Sequence, residues 1–509
     1  MPPPDRREAR GGALFWVALP LCAAVAIWGI LSPEGLAEGA SAFTSTAFRA
    51  LDWFFMSSVT GFLVLCIWLA FGRYGRIKLG SPGDEPEFST ASWLAMLFAA
   101  GMGCGLLFWG VAEPITHFSS PPVGEASTAA AARQAMVLTN FHWGLHAWAV
   151  YGIGGLILAY FGFRHGMPYL AGSPIRRGFR GRWVGPVATL SDVVSVLAVA
   201  LGVAGTLGMG TLQIHSGLSA VVGAPANSVF LSLAILVALV ISYMTSAATS
   251  LDKGIKWLST INMALALLLL VFVLVAGPTG FLLATFVTTL SDYVSGLVGL
   301  SLRLYPFADI DEWVGSWTLT YFIWWIAWAP FVGIFIARIS RGRTIREFVL
   351  GVLAAPTVLS MLWFSVFGGT ALHRELHGEG GIAEAVSQNV TVALFALFDT
   401  LPLSSLLGAV ALILLFVFVV TSVDSATYVL GMLTSRGALV PPTKRKLAWG
   451  IGLGGLGAAL LVTGNVDAIK AAAVMGAVPF AFILLLQVAA LLRTLPEELE
   501  RGEDEEEGS

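Results

Sequence analysis

Tyr321-Phe322-Ile323-Trp324-Trp325-Ile326-Ala327-Trp328-Ala329-Pro330-Phe331 puts three indoles and a proline inside an uncharged apolar run. A membrane helix that only fills space uses leucine, valine and alanine, and tryptophans normally gather at the two lipid–water interfaces where the ring N–H stays wet. Here they stand in mid-segment. Trp324 and Trp328 are four apart and Trp325 and Trp328 three apart, so helical spacing turns their rings toward one side. Two readings are open: an aromatic face packed on neighbouring helices, or a box for a cation. Pro330 adds weight to the second, because it removes a backbone donor and frees a carbonyl that lipid cannot satisfy.

The rest of the chain fits a membrane setting. It has 509 residues, of which 57% are hydrophobic and 12% charged, and a mean hydropathy of +0.82. This excludes a soluble globular enzyme and gives an all-α polytopic membrane protein. Apolar stretches long enough for about 30 Å of hydrocarbon occur near 13–31, 51–72, 92–112, 137–161, 187–221, 228–247, 257–280, 315–337, 347–369, 403–432, 447–464 and 469–492. Twelve spans place both termini on one side. With the termini assigned to the cytoplasm, all of the 28 Lys and Arg fall on the cytoplasmic side except Arg49, Arg133, Arg303, Arg374 and Lys470, as the positive-inside rule requires. No signal-peptide cleavage pattern precedes the first span. Cys22, Cys66 and Cys104 all fall within spans without metal spacing and read as small apolar residues. The net charge of −3 names no nucleic-acid partner. The run Glu497–Glu507 reads as an acidic, disordered tail.

Residues 281–303 carry Leu290, Val294, Leu297 and Leu300 at roughly helical spacing, either an amphipathic helix at the outer interface or a plain connector. The third span holds Gly101, Gly103 and Gly105 at alternate positions, each less favourable in a helix than alanine by about 1 kcal/mol. Close helix packing would also use such glycines. Paired with the Pro-containing eighth span, they point to two interrupted helices in corresponding places of an inverted-repeat transporter. Spans three to seven then form one repeat and spans eight to twelve the other. The domains expected are 1–12 (tail), 13–90 (two peripheral helices), 91–280 (first repeat), 281–312 (connector), 313–493 (second repeat) and 494–509 (tail).

In the fourth span, Trp143, Tyr151 and Trp148 fall at roughly 0°, 80° and 140° around a continuous helix at about 100° per residue. They can complete a cage with Trp324, Trp325 and Trp328. Quaternary ammonium groups donate no hydrogen bonds, and aromatic faces attract them by up to about 2 kcal/mol when desolvated. His142 and His146 are four apart, yet no Cys or carboxylate accompanies them in the span, so metal binding is not expected there. Glu113 is an intramembrane carboxylate, a proton carrier or, at the outer edge, a structural or gating group. In the tenth span the Phe418 carbonyl and the Thr421 and Ser422 hydroxyls offer three oxygens on one side. With the Ala99 and Met102 carbonyls of an unwound glycine run they make a five-oxygen sodium site, unless the hydroxyls simply bond back to the preceding turn.

These motifs resemble those of the betaine/choline/carnitine transporter family over nearly the whole chain: Gly101–Gly105 through Trp109-Gly110-Val111-Ala112-Glu113-Pro114, then Phe141-His142-Trp143-Gly144-Leu145-His146, Trp324–Gly333, Phe335–Thr344 and Thr421–Ser425. The resemblance implies a LeuT-type core of two inverted five-helix repeats preceded by two extra helices. It implies a homotrimer in a bacterial plasma or inner membrane, and a small quaternary ammonium substrate. The cage maps to Trp143, Trp148, Tyr151, Trp324, Trp325 and Trp328, with Phe331 below it and the backbone of Gly101, Met102, Gly103 and Gly105 facing the substrate. Sodium maps to Ala99, Met102, Phe418, Thr421 and Ser422, with Thr206 a candidate for a second ion. Choline relatives tend to carry Asp where Gly105 stands, so the resemblance favours a carboxylate-bearing substrate such as glycine betaine, taken up by sodium symport. The alternative is a proton-coupled or exchange carrier for choline, carnitine or dimethylsulfoniopropionate. No catalytic cluster is present for an enzyme. Osmotically activated members carry long basic C-terminal helices, which the acidic tail after Arg493 does not resemble.

Overall fold

The computed structural model describes residues 12–101, 103–249 and 252–507. Helices α1 (Ala13–Leu31) and α2 (Pro33–Phe71) come first, followed by α3 (Thr90–Gly101), α4 (Cys104–Ser119), α5 (Ala129–Trp143), α6 (Leu145–Ala159), α7 (Val184–Val222), α8 (Val229–Thr249) and α9 (Asp252–Ala276). Helix α10 (Thr279–Ser301) links this half to α11 (Thr320–Ile339), α12 (Ile345–His377), α13 (Ser404–Leu433), α14 (Thr443–Val462), α15 (Val466–Met475) and α16 (Val478–Glu507). Among the described residues the only β pairing is one bridge, Lys78 with Thr344. Large apolar side chains such as Phe230 and Val298 remain exposed on the outside, as a lipid-facing surface requires.

Among the described residues twelve helical stretches, counting α5 with α6 and α15 with α16 as one each, are long and apolar enough to cross a membrane. All but α10 coincide with spans read from the sequence; the remaining span is split between α3 and α4, each too short alone. Helix α10 does not cross, because both of its ends join the same end of the molecule. It starts where Gly277 abuts Thr370 near the close of α12. The chain after it leads into α11 through Trp313, whose ring centroid lies 5.3 Å from that of His117 at the close of α4. Helix α10 is pinned there by the Arg133–Asp292 pair at 2.5 Å.

At the opposite end the basic connectors meet. Leu79 and Ile345 amides donate to the carbonyls of Arg343 and Ile77 at 2.8 and 2.9 Å. Arg341 bonds Asp84 at 3.1 Å and holds its carboxyl below the usual carboxylate range. Arg164 donates to the carbonyls of Lys78 and Gly80 and pairs with Glu498, while Arg177 pairs with Glu497. The connectors after α2, α6 and α11 and the end of α16 therefore share one face, the arrangement that the arginine distribution calls for.

Packing follows a pseudo-twofold exchange of α3–α9 with α11–α16. Helix α4 packs on α12 as α11 packs on α6; α7 lies on α14 as α13 lies on α8; α15 contacts α7 as α9 contacts α13. The fold is the all-helical, twelve-span architecture expected. Four details differ from the sequence reading. The fourth span is not one helix: Gly144 (φ −94°, ψ −136°) separates α5 from α6, because a Cβ there would stand 2.8 Å from the Tyr293 hydroxyl docked on it. The eighth span is not interrupted at Pro330; α11 runs through it, and the irregularity is the π-helical turn Gly315–Leu319 just before. Helix α2 begins at Pro33, well before residue 51, with a kink at Leu51. The acidic run is not disordered at its start, because Glu497 and Glu498 lie within α16 and are held by arginines.

Helices α6 and α11 meet backbone to backbone. A Cβ on Gly333 would lie 3.0 Å from the Gly155 nitrogen and 3.2 Å from the Gly154 carbonyl carbon. Neither atom belongs to a flexible side chain, so Gly333→Val is expected to cost about 1–3 kcal/mol through overpacking. It should lower the thermal unfolding midpoint in detergent, whereas Gly61→Val, with nothing within 4 Å of its added Cβ, should leave it unchanged.

Candidate functional site

The glycine run of the third span does not complete a helix. Helix α3 stops at Gly101 and α4 restarts at Cys104, with Gly103 extended (φ −156°, ψ −175°) and no side chain capping the new N-terminus. Leu106 N–H turns back to the Gly103 carbonyl at 3.2 Å, and the amides ahead of it keep no helical partner. Met102 lies outside the described residues, so its substrate and sodium roles stay expectations.

This break faces a cavity of about 1310 Å³ bounded by α3, α4, α5, α6, α7, α9, α11, α12 and α13. Gly103 and Gly105 line it together with Trp143, Trp148, Tyr151, Trp324, Trp325, Trp328 and Phe331. The fourth and eighth spans thus bring all the predicted aromatic residues to one space. The continuous-helix angles do not explain this, because the chain is broken between Trp143 and Trp148. Trp143 reaches the cavity from the last turn of α5, and Trp148 and Tyr151 from the first turns of α6.

Trp325 is the hub. Its ring centroid lies 4.9 Å from Trp143 at 72°, 5.8 Å from Tyr151 at 75°, and 5.9 Å from Tyr321 in a stacked pair. Trp148 stands edge-on to Tyr151 at 5.5 Å, and Trp328 to Phe331 at 5.4 Å. Trp325 Nε1 donates to the His142 carbonyl at 2.8 Å, while Trp328 Nε1 is buried without a partner. Gly105 leaves room for the Trp143 ring: a Cβ there would stand 3.0 Å from its Cη2.

Ala99, Thr206, Phe418, Thr421 and Ser422 line the same cavity. The Thr421 hydroxyl bonds back to the carbonyls of Val417 and Phe418 at 2.9 and 3.2 Å, the ordinary habit of a membrane-helix threonine. Since that bond uses its proton, the oxygen lone pairs remain for a cation. Thr206 makes a longer bond of 3.4 Å to the Gly202 carbonyl.

The cavity opens toward the arginine-rich end, where Glu87, Arg338, Arg341 and Leu439 form its mouth. The other end is closed by a layer the sequence reading did not assemble. Lys470 is 8% exposed and sets its ammonium 5.6 Å from the Trp109 ring and 5.0 Å from the Trp317 ring, with Asp467 at 2.8 Å. One layer inward, Glu113 is buried among partners from three helices. Its Oε2 accepts from Trp143 Nε1 at 2.7 Å and from the Tyr321 hydroxyl at 2.6 Å. Its Oε1 lies 2.6 Å from His142 Nδ1 and 3.4 Å from His117 Nε2.

Glu113, His117 and His142 bring three possible ligand atoms within 4.8 Å of one another, so a carboxylate does join His142, from another span. The lone pairs of that carboxylate are already taken by the four groups around it. His146 points elsewhere, to the Ser301 hydroxyl at 3.0 Å. Asn262 was also missed: it is 2% exposed, lines the cavity, and neither its Nδ2 nor its Oδ1 has a hydrogen-bond partner. A lone asparagine in the apolar run of α9 was the available signal.

Comparison with known proteins places this geometry. The betaine/carnitine/choline family of transporters matches residues 13–500. The chain is 43% identical over 491 residues to the glycine betaine transporter OpuD of Bacillus subtilis, covering 96% of this chain and 94% of that protein. It is 41% identical over 506 residues to an ectoine/hydroxyectoine transporter of Virgibacillus pantothenticus, covering 97% and 98%. To the high-affinity choline transport protein of Escherichia coli it is 39% identical over 458 residues, covering 89% and 68%. The chain is therefore a member of the betaine/carnitine/choline transporter family, a multi-pass membrane transporter and not an enzyme.

Proposed function

We propose that this transporter imports glycine betaine, or a closely related quaternary ammonium osmolyte, by sodium symport. The observation that carries the reading is the meeting of six aromatic side chains from the fourth and eighth spans with the uncapped N-terminus of α4 in one cavity. A trimethylammonium head gains from aromatic faces and offers nothing to hydrogen-bond. A carboxylate gains from free amides at a helix N-terminus. A zwitterion carrying both matches the two walls, and relatives named for glycine betaine support the same class. Gly105 brings no side-chain carboxylate to the cavity it lines, which supports a substrate that carries its own.

Sodium is the coupling ion in this reading. Ala99, Phe418, Thr421 and Ser422 stand along the cavity between the broken span and α13, and they supply hard oxygens of the kind sodium takes. With the termini and the arginine-rich connectors on the cytoplasmic side, the cavity is open inward and the Lys470 layer seals the outside. Substrate would be released past Phe331 toward Arg338 and Arg341.

The direct test is uptake of labelled glycine betaine into proteoliposomes with and without an inward sodium gradient. Accumulation that requires sodium is expected; accumulation driven instead by protons or preloaded substrate would assign the chain to the proton-coupled or exchange carriers of choline, carnitine or dimethylsulfoniopropionate. In the same assay Thr421→Ala should raise the sodium concentration for half-maximal uptake several-fold, and an unchanged sodium requirement would remove Thr421 from the ion site. Trp328→Leu should weaken betaine binding about tenfold or more, roughly 1.4 kcal/mol, while the unfolding midpoint stays near that of the wild type. Undiminished affinity would make Trp328 a packing residue.

A further inference from the structure

Two of the rings facing the cavity, Trp143 and Tyr321, share one acceptor behind it: the same oxygen of Glu113, at 2.7 and 2.6 Å. The other oxygen lies against His142 and His117. An ionised carboxylate has no proton to give and about four lone-pair sites to fill, and here four polar hydrogen-bonding groups surround it in a fully buried pocket. The network extends to a third ring. Trp325 is stacked on Tyr321 and donates its N–H to the backbone carbonyl of His142.

Hydrogen bonds to an ionised acceptor are shorter and stronger than neutral ones. They also polarise the donor: as an indole N–H or phenol O–H leans into a negative oxygen, electron density moves back into its ring. Attraction of a cation to an aromatic face depends on the negative charge of that face. We propose that Glu113 is a positioning residue of the cage, which holds the Trp143 and Tyr321 rings edge-on and makes their faces more negative toward a quaternary ammonium. The carboxylate does not touch the substrate; it acts through the rings. Tyr321 is thereby a wall of the cage in its own right, and the selectivity for a cationic head depends on a charge one layer away from the site. This inference rests on the proposed quaternary ammonium substrate.

The test separates charge from shape. Glycine betaine and its carbon isostere 3,3-dimethylbutanoate have the same outline, but only the first carries a positive head. Binding of each to purified full-length protein is followed by tryptophan fluorescence, with folding checked by size-exclusion elution and unfolding midpoint. Glu113→Gln keeps the size and removes the charge. It should lower betaine affinity about tenfold, the scale of one desolvated cation–π contact, while affinity for the isostere changes less than about twofold. Equal losses for both ligands, or no loss for betaine, would overturn the inference. Glu113→Asp keeps a charge and should retain more of the preference for betaine than Glu113→Gln; identical behaviour of the two would overturn it as well. Should Glu113→Gln not yield folded protein, Tyr321→Phe keeps the ring, removes one charge-assisted donor, and should reduce the betaine-to-isostere ratio; an unchanged ratio counts against the proposal. Wild-type protein that binds neither ligand, or fails to distinguish them, would instead bring down the substrate reading and this inference with it.

Discussion

The contact on which the site depends is the crossing of α6 and α11 at Gly154, Gly155 and Gly333, where two membrane helices touch through their backbones. Lipid supplies no hydrophobic drive for helices to associate, so their attraction comes from close packing, which small residues permit. Only with the axes this near can Trp143 lie 4.9 Å from Trp325 and 5.6 Å from Tyr321, and Tyr151 5.8 Å from Trp325, across the two spans. The cage is therefore a product of a glycine crossing a turn or two below it. Gly202 extends the same device to α7, since a Cβ there would come within 3.2 Å of Trp328 Nε1.

Around this contact the molecule divides its polar groups by depth. Connectors at one end use arginine to gather carbonyls and carboxylates; the cavity itself is walled by rings and a few hydroxyls; beyond it a buried carboxylate, two histidines and a lysine make a dense polar and aromatic seal. The two charged groups of that seal, Glu113 and Lys470, are each surrounded by partners, as the low-dielectric setting demands. The two repeats are not used alike. In the first the two spans that build the site are broken, at Gly103 and at Gly144, while their counterparts α11 and α12 stay continuous.

The cage was legible in the sequence because tryptophan is rare in mid-membrane and three of them fall in one turn of a single helix. The break at Gly101–Gly105 was legible for a similar reason, three glycines in five residues. Gly144 was not, because one glycine in an apolar helix has no signature until the Tyr293 hydroxyl that docks on it is known. The Glu113 network was hidden for a different reason: its partners lie 29, 30 and 208 residues away, and each alone reads as a core histidine, a cage ring or an ordinary tyrosine. Proline at position 330 misled, since a helix with close neighbours tolerates the loss of one amide without unwinding. The acidic tail misled because charge runs are judged by composition, whereas Glu497 and Glu498 are ordered by arginines more than 300 residues earlier.

That last pairing bears on how the protein is made. Arg164 leaves the ribosome with the fourth span and bonds the carbonyls of Lys78 and Gly80, yet its carboxylate partner Glu498 follows 334 residues later, beyond the last span. The inner face of the molecule can close only after all twelve spans have been made, so the end of α16 fastens the second repeat to the first, and a chain cut at Pro496 would lack that tie.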